Sequence, residues 1–214
     1  TFADILEHVF SDALADAARQ AILPHFRHKD LVSYNKESEG FDPVTVADRA
    51  AETARRDIVR KERPDDAILG EEFGKTSGTT GLTWVLDPID GTRGFISGTP
   101  TWGVLIGLGD ETGPIVGVID QPYIGERFTG TPNGAFFKGP HGAYPIETRL
   151  PCSLAQATIF TTFPEVGTEH ERAGFEAVAG QCRLTRYGMD CYAYALLAAG
   201  QIDLVVEAGL NAYD

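Results

Sequence analysis

Apolar positions along the chain follow two periods. From Phe2 to residue 27, Phe2, Ile5, Leu6, Val9, Phe10, Leu14, Ala17, Ala18 and Ala21 recur at helical spacing, and Pro24 is expected to end or bend that helix. A polar stretch, HKDLVSYNKESEGFDP, reads as extended or loop. A second helix starts at Thr45, with an apolar face of Ala47, Ala50, Ala51, Ala54, Ile58 and Val59. The period then shortens. AILG (67–70) and TWVLD read as strands, with the polar loop KTSGTTGL between them. TPTWGVLIGLGD and GPIVGVIDQP read as two strands joined by a Gly-rich turn, and GERFTGTPNGAFFKGPHGAYPIE reads as hairpins punctuated by Gly and Pro. The tail alternates: QATIFTTF strand, EHERAGFEAVAGQC helix, RLTRYG strand, DCYAYALLAAG helix, IDLVVEAG strand. This order predicts an α/β (α+β) chain with two parts. Residues 1–149 form a helix-flanked, β-rich part, and 150–214 form an alternating α/β part.

Composition narrows the class. With 43% hydrophobic and 23% charged residues, the 214-residue chain has the make-up of a folded protein with a substantial core, so disorder is not the reading. The N-terminal segment carries acids throughout and no apolar run is long enough to cross a bilayer, so neither a signal peptide nor a transmembrane helix is read. A formal net charge of -13, with no clustered basic face, argues against nucleic-acid binding. Cys152, Cys182 and Cys191 show neither metal-site spacing nor an even count, which points to reduced thiols and a cytoplasmic setting.

The candidate chemistry lies in WVLDPIDGTRGF (84–95). Asp87 and Asp90 end an apolar run beside a Gly-Thr-Arg turn. Paired carboxylates repel when both are ionised and so tend to share a proton or a cation. Mg²⁺ takes hard oxygen ligands of this kind together with substrate phosphate oxygens, and the Ile89 carbonyl is a further oxygen donor. If a helix begins near Gly91 and Thr92, its free N–H groups favour a phosphate. The plainer reading leaves Asp90 capping a turn and Asp87 closing a strand. Glu71 and Glu72 follow AILG; if that strand neighbours TWVLD in one sheet, Glu71 comes beside Asp87. Asp48 sits where it can cap the second helix, or act with a hydroxyl such as that of Thr92 on an attacking water.

The ordered motifs DPVTVAD, GEE, LDPIDGT and a late YD resemble those of the inositol monophosphatase family across nearly the whole chain. DGTRGF, where inositol monophosphatases usually carry Asn two places after the threonine, is similar to the DGTR-x-F of the histidinol-phosphate phosphatase branch, as is the RYGMDCY segment. The resemblance implies a layered αβαβα fold, a homodimer, two or three Mg²⁺ ions and hydrolysis of L-histidinol phosphate in histidine biosynthesis. Inositol monophosphate, a sugar bisphosphate or a 3′-phosphonucleotide are rival substrates, and a non-catalytic metal-binding protein is the rival of another class. Matched residue by residue, Glu71, Asp87 and the Ile89 carbonyl correspond to one metal position, and Asp87, Asp90 and Asp214 to a second. Thr92 and Asp48 correspond to the pair that orients water, and Asp90, Gly91 and Thr92 to the phosphate cradle. Arg93, Arg186, Asp190 and Glu207 correspond to contacts with the rest of the substrate. Two departures stand out: the late motif is AYD where the branch has PYD, and the resemblance implies a chain running on past Asp214, so a trimmed or fragmentary chain is expected.

Overall fold

The computed structural model describes residues 2–36, 43–165 and 167–214, with side chains from residue 10 onward; Asp42 of the DPVTVAD motif lies outside the described residues. Helix α1 (Phe2–Ile22) stops five residues short of the expected end. Pro24 explains this, because it has no N–H to give the helix and disfavours helical torsions in the residue before it. Strands β1 (Ser33–Asn35) and β2 (Pro43–Thr45) pair antiparallel. Helix α2 (Val46–Glu62) begins at the Thr45 N-cap with a capping box closed by Asp48. No helix of the described residues is long and apolar enough to cross a membrane.

The main sheet has eight strands: β3 (Ala67–Gly70), β4 (Gly74–Thr76), β5 (Thr83–Asp90), β6 (Gly103–Asp110), β7 (Gly113–Gln121), β8 (Glu126–Thr131), β9 (Gly134–Gly139) and β10 (Gly142–Ile146). Their order is β10-β9-β8-β7-β6-β5-β3-β4, antiparallel except for the parallel β3–β5 pair. The short helix α3 (Thr92–Ser97) follows β5. A second sheet holds β11 (Thr158–Thr161) between β12 (Leu184–Tyr187) and β13 (Leu204–Val205), all parallel, with α4 (Glu169–Ala179) and α5 (Cys191–Ala198) as connections.

Packing gives the layers. Leu14, Ala18 and Ile22 of α1 and Ala47, Ala51 and Val59 of α2 bury against Trp84, Leu86, Val104, Ile106 and Val118 of the main sheet. Each large apolar side chain buried there contributes about 1.5–3 kcal/mol. On the other face Ala195 of α5 meets Phe128 and Phe137, while Ala193 of the same helix meets Phe160 of β11. Phe175 of α4 covers Ile159 on the outer side of β11. The sequence of layers is therefore helix pair, eight-stranded sheet, α5, three-stranded sheet, α4: an αβαβα sandwich. Helix α5 is apolar nearly all round because it lies between two sheets.

Candidate active site

Asp87 and Asp90 are three residues apart, and in a regular strand that odd spacing would send them to opposite faces. The structure solves this with a bulge. Asp87 pairs with Leu105 and Asp90 with Gly103, so Pro88 and Ile89 together oppose Val104 alone. Pro88, which has no N–H for the ladder, sits in the interruption. The extra residue brings both carboxylates to one side, where oxygens of Asp87, Asp90 and Asp214 lie within 4.8 Å of one another.

Each acid is held differently. Asp90 Oδ2 accepts the backbone N–H of Cys191 at the start of α5 (2.5 Å), a helix end that favours negative charge. Asp87 is buried, and its Oδ1 has no hydrogen-bond partner. Burial first, then the charges of Asp90, Glu71 and Asp214, hold its carboxyl well above the ordinary range, against the pull of Arg55. Asp90 is raised by burial as well, with the Cys191 amide opposing. A buried carboxylate oxygen with no donor, facing two further acids, has the chemistry of a hard-cation site.

Glu71 arrives as the strand order demands. Parallel β3 and β5 pair Gly70 with Leu86, and the Glu71 N–H donates to the Leu86 carbonyl (3.2 Å). Its carboxylate stands outside the tight triad and takes the Lys36 ammonium at 2.7 Å, which also reaches Glu72 at 2.5 Å. Burial raises Glu71 to about 7 while Lys36 opposes. Lys36, a cation already on a candidate ligand, was not visible in sequence because it lies in a polar stretch without periodicity.

Asp48 is both cap and candidate base. Its Oδ2 accepts the Thr45 N–H (2.8 Å) and hydroxyl (2.6 Å), while its buried Oδ1 has no partner. Burial, opposed by the Thr45 bonds, puts it at about 6. Thr92 is not hydrogen-bonded to Asp48; its hydroxyl donates to the Ile89 carbonyl at 3.0 Å, the oxygen expected as a ligand. Gly91 precedes α3 at φ +80°, and a Cβ there would lie 2.6 Å from Asp190 Cγ. Only glycine fits that turn, whose first N–H groups have no intrahelical acceptor.

Asp190 itself is strained, with φ +48°. Burial, followed by the charges of Asp90 and Glu207, raises its carboxyl to about 7 against the pull of Arg93. Glu207 is tied to the exit of β11, accepting the Thr162 N–H (2.7 Å) and hydroxyl (2.8 Å). The Arg93 guanidinium stacks over Phe163 at 4.9 Å. Asp90, Asp190, Asp214, Glu207, Phe163 and Tyr194 share the wall of a cleft of about 1000 Å³ that runs on over the apolar face of the main sheet. Arg186 is exposed on β12, and nothing among the described residues ties it to these acids. The three thiols are held up as weak acids, Cys191 well above its ordinary value by burial, so none is an activated nucleophile.

Beneath the site runs a polar stripe of α2 that sequence periodicity missed. Asp48, Glu52, Arg55 and Arg56 are all buried, at positions i, i+4, i+7 and i+8. Arg55 donates to the carbonyls of Asp87 (3.0 Å) and Leu105 (3.1 Å), bridging the two strands at the bulge.

A sequence model described as the inositol monophosphatase family matches residues 6–214. The chain is 43% identical over 206 residues to the bifunctional phosphatase IMPL2, chloroplastic, of Arabidopsis thaliana, covering 95% of this chain and 58% of that one. It is 34% identical to the histidinol-phosphatase of Mycobacterium tuberculosis, covering 94% of this chain and 78% of the relative. Among solved structures, an inositol monophosphatase from Zymomonas mobilis superposes with a TM-score of 0.82 at 41% identity, over 96% of this chain and 77% of its own length.

Proposed function

The chain belongs to the inositol monophosphatase family, and from that membership we propose that it is a Mg²⁺-dependent phosphomonoesterase acting on L-histidinol phosphate. The observation that carries the reading is the bulged β5 end, which gathers Asp87, Asp90 and Asp214 within 4.8 Å beside the Gly91 turn. Those three acids, with Glu71 and the Ile89 carbonyl, would hold two or three Mg²⁺ ions. When bound, the metal supplies positive charge against the phosphoryl oxygens and acidifies water.

The protein's own groups do the rest. Backbone N–H groups of Gly91 and Thr92, with Asp90 alongside, cradle the phosphate at the start of α3. The free Oδ1 of Asp48 takes the proton of the attacking water; a carboxyl at about 6 is well matched to proton transfer near neutral pH. Thr92 steadies the Ile89 carbonyl and the water. The water oxygen bonds to phosphorus as the ester P–O bond breaks, the departing alkoxide takes a proton from solvent water to give L-histidinol, and Asp48 returns its proton to solvent as phosphate leaves. No covalent enzyme intermediate is needed. Asp190 and Glu207 suit the ammonium and imidazole of the organic end, with Arg93 beside them. Support for this substrate comes from the DGTR-x-F motif and the histidinol-phosphatase relative. In this reading the enzyme serves histidine biosynthesis as a cytoplasmic homodimer.

The test compares Mg²⁺-dependent phosphate release from L-histidinol phosphate and from inositol 1-phosphate, with Asp87→Asn as control. A preference for histidinol phosphate that the control loses is the expected result. Equal rates would leave a broader phosphatase of the same family, and no metal-dependent release would overturn the reading.

A further inference from the structure

Gly70, the first residue of the GEE motif, has no positive φ to explain it. It is small for lack of space. A Cβ at Gly70 would lie 2.0 Å from Glu52 Oε1 and 2.8 Å from Arg56 Nη2. The carboxylate of α2 therefore rests directly on the backbone at the end of β3. From there Glu52 Oε2 accepts the N–H of Glu72 at 2.7 Å, and Oε1 accepts the N–H of Phe73 at 3.2 Å and Nε of Arg56 at 2.7 Å. Arg56 in turn bonds the Gly74 carbonyl and the Thr76 hydroxyl, so the ion pair is tied into the β4 hairpin.

Glu52 is fully buried, 0% exposed. A buried carboxylate is costly unless donors compensate it, and an apolar side chain would serve packing alone at least as well. What the charge adds here is orientation. The Glu71 amide is fixed on Leu86 of β5, and the next two amides are fixed on Glu52, so Glu71 is held from both sides.

We propose that Glu52 is a positioning residue for the metal centre: it grips the turn after β3 and thereby holds Glu71, with its Lys36 partner, at the edge of the Asp87, Asp90 and Asp214 cluster. Gly70 is the space that grip requires. The inference rests on the metal-dependent reading above. Losing the Glu52 charge and losing the turn geometry both weaken a cation site, so the sign of the effect is fixed.

The test measures Mg²⁺ dissociation constants by calorimetry for the full chain, Glu52→Gln, Gly70→Ala and the charge-balanced double variant Glu52→Gln/Arg56→Gln. Circular dichroism and melting temperatures in chelator run alongside. Both Glu52→Gln and Gly70→Ala are expected to weaken Mg²⁺ binding by about 10–100-fold, the usual cost of losing an outer-shell partner. Phosphate release by both should recover as Mg²⁺ is raised to saturation. The double variant removes the unpaired Arg56 charge, and it should regain melting temperature without regaining affinity. Variants that fold and bind Mg²⁺ within about twofold of the parent would overturn the proposal. Loss of native circular dichroism in all three would also overturn it, assigning Glu52 to the fold alone. If the parent chain itself binds no Mg²⁺, it is the functional reading that fails, a result distinct from either.

Discussion

In the proposed function, Asp87 gives up stability for chemistry. It is buried, one of its oxygens has no donor, and three acids repel it, so in metal-free protein its ionised form is a burden on the fold. Asp87→Asn is therefore expected to raise the melting temperature in chelator while lowering metal-dependent phosphate release by about 10²–10³-fold, the scale of losing one preorganised charged group. Unchanged activity in that variant would remove Asp87 from the centre. Asp190 tests selectivity instead. Its carboxyl lies against Gly91 with no side-chain hydrogen bond to the helix it precedes. Asp190→Asn should cost about 10–100-fold in kcat/KM for L-histidinol phosphate, the value of a hydrogen bond to a charged group. The loss for inositol 1-phosphate should be smaller, and equal losses would show Asp190 to be indifferent to the organic end. Asp48, Glu71, Asp87 and Asp90 were legible in sequence because each is an acid at the end of a recognisable element. Lys36, Glu52 and Arg55 were not, since a charged residue within a helix or loop reads as solvated until the neighbouring strands are placed over it.

At the scale of elements, the site is built from ends: the bulged end of β5, the turn after β3, the first turn of α2, and the starts of α3 and α5. The β5–α3 turn carries the sharpest constraint. Gly91→Ala puts a Cβ 2.6 Å from Asp190 Cγ at φ +80°. The left-handed backbone alone costs about 1–2 kcal/mol, and relief of the clash must move Asp190 or the cradle. We expect a lowered urea midpoint together with a fall in kcat at saturating Mg²⁺. An alanine variant with parental kcat would show that the turn is not the phosphate cradle. Most elements could be read from apolar period, whereas the adjacency of β3 and β5, which brings the turn carrying Glu71 to the end of β5, stood in the sequence only as a condition, and their parallel pairing meets it. The misreadings are local and physical. IDLVVEAG yields only Leu204–Val205 as strand, because Glu207 turns to bind the Thr162 amide. Strand β4 was read as loop, since GKT is short and polar and is held by pairing with β3. The α2 stripe escaped because its alanines, with Ile58 and Val59, already satisfied the expected apolar face.

Across the whole molecule acids outnumber bases, for a formal net charge of -13, and the buried acids around Asp87 are where that excess is felt as repulsion. The layered order was visible in the alternation of helices and strands; the way the layers gather Asp87, Asp90 and Asp214 within 4.8 Å, at a cleft that Asp90, Asp190 and Asp214 line, is a property of the packed chain. That convergence has a sign that can be worked out. Folding moves Asp48 from an ordinary 3.8 to about 6, Glu71 from 4.5 to about 7 and Asp190 from 3.8 to about 7. Between those limits these groups hold more protons in the folded chain than in the unfolded one, so metal-free stability should fall as pH rises from about 4 to about 7, and Asp87, held well above the ordinary range, carries the fall further. Divalent cations need the deprotonated acids, and their binding releases those protons. The rise in melting temperature on adding Mg²⁺ should therefore be small at pH 5 and large at pH 8. Melting curves in chelator and in Mg²⁺ across that range check both slopes at once. A Mg²⁺ effect that does not vary with pH would mean that these carboxyls are not where the cation binds, whereas a falling metal-free curve that Mg²⁺ flattens ties the instability of the empty cleft to its affinity for the ion.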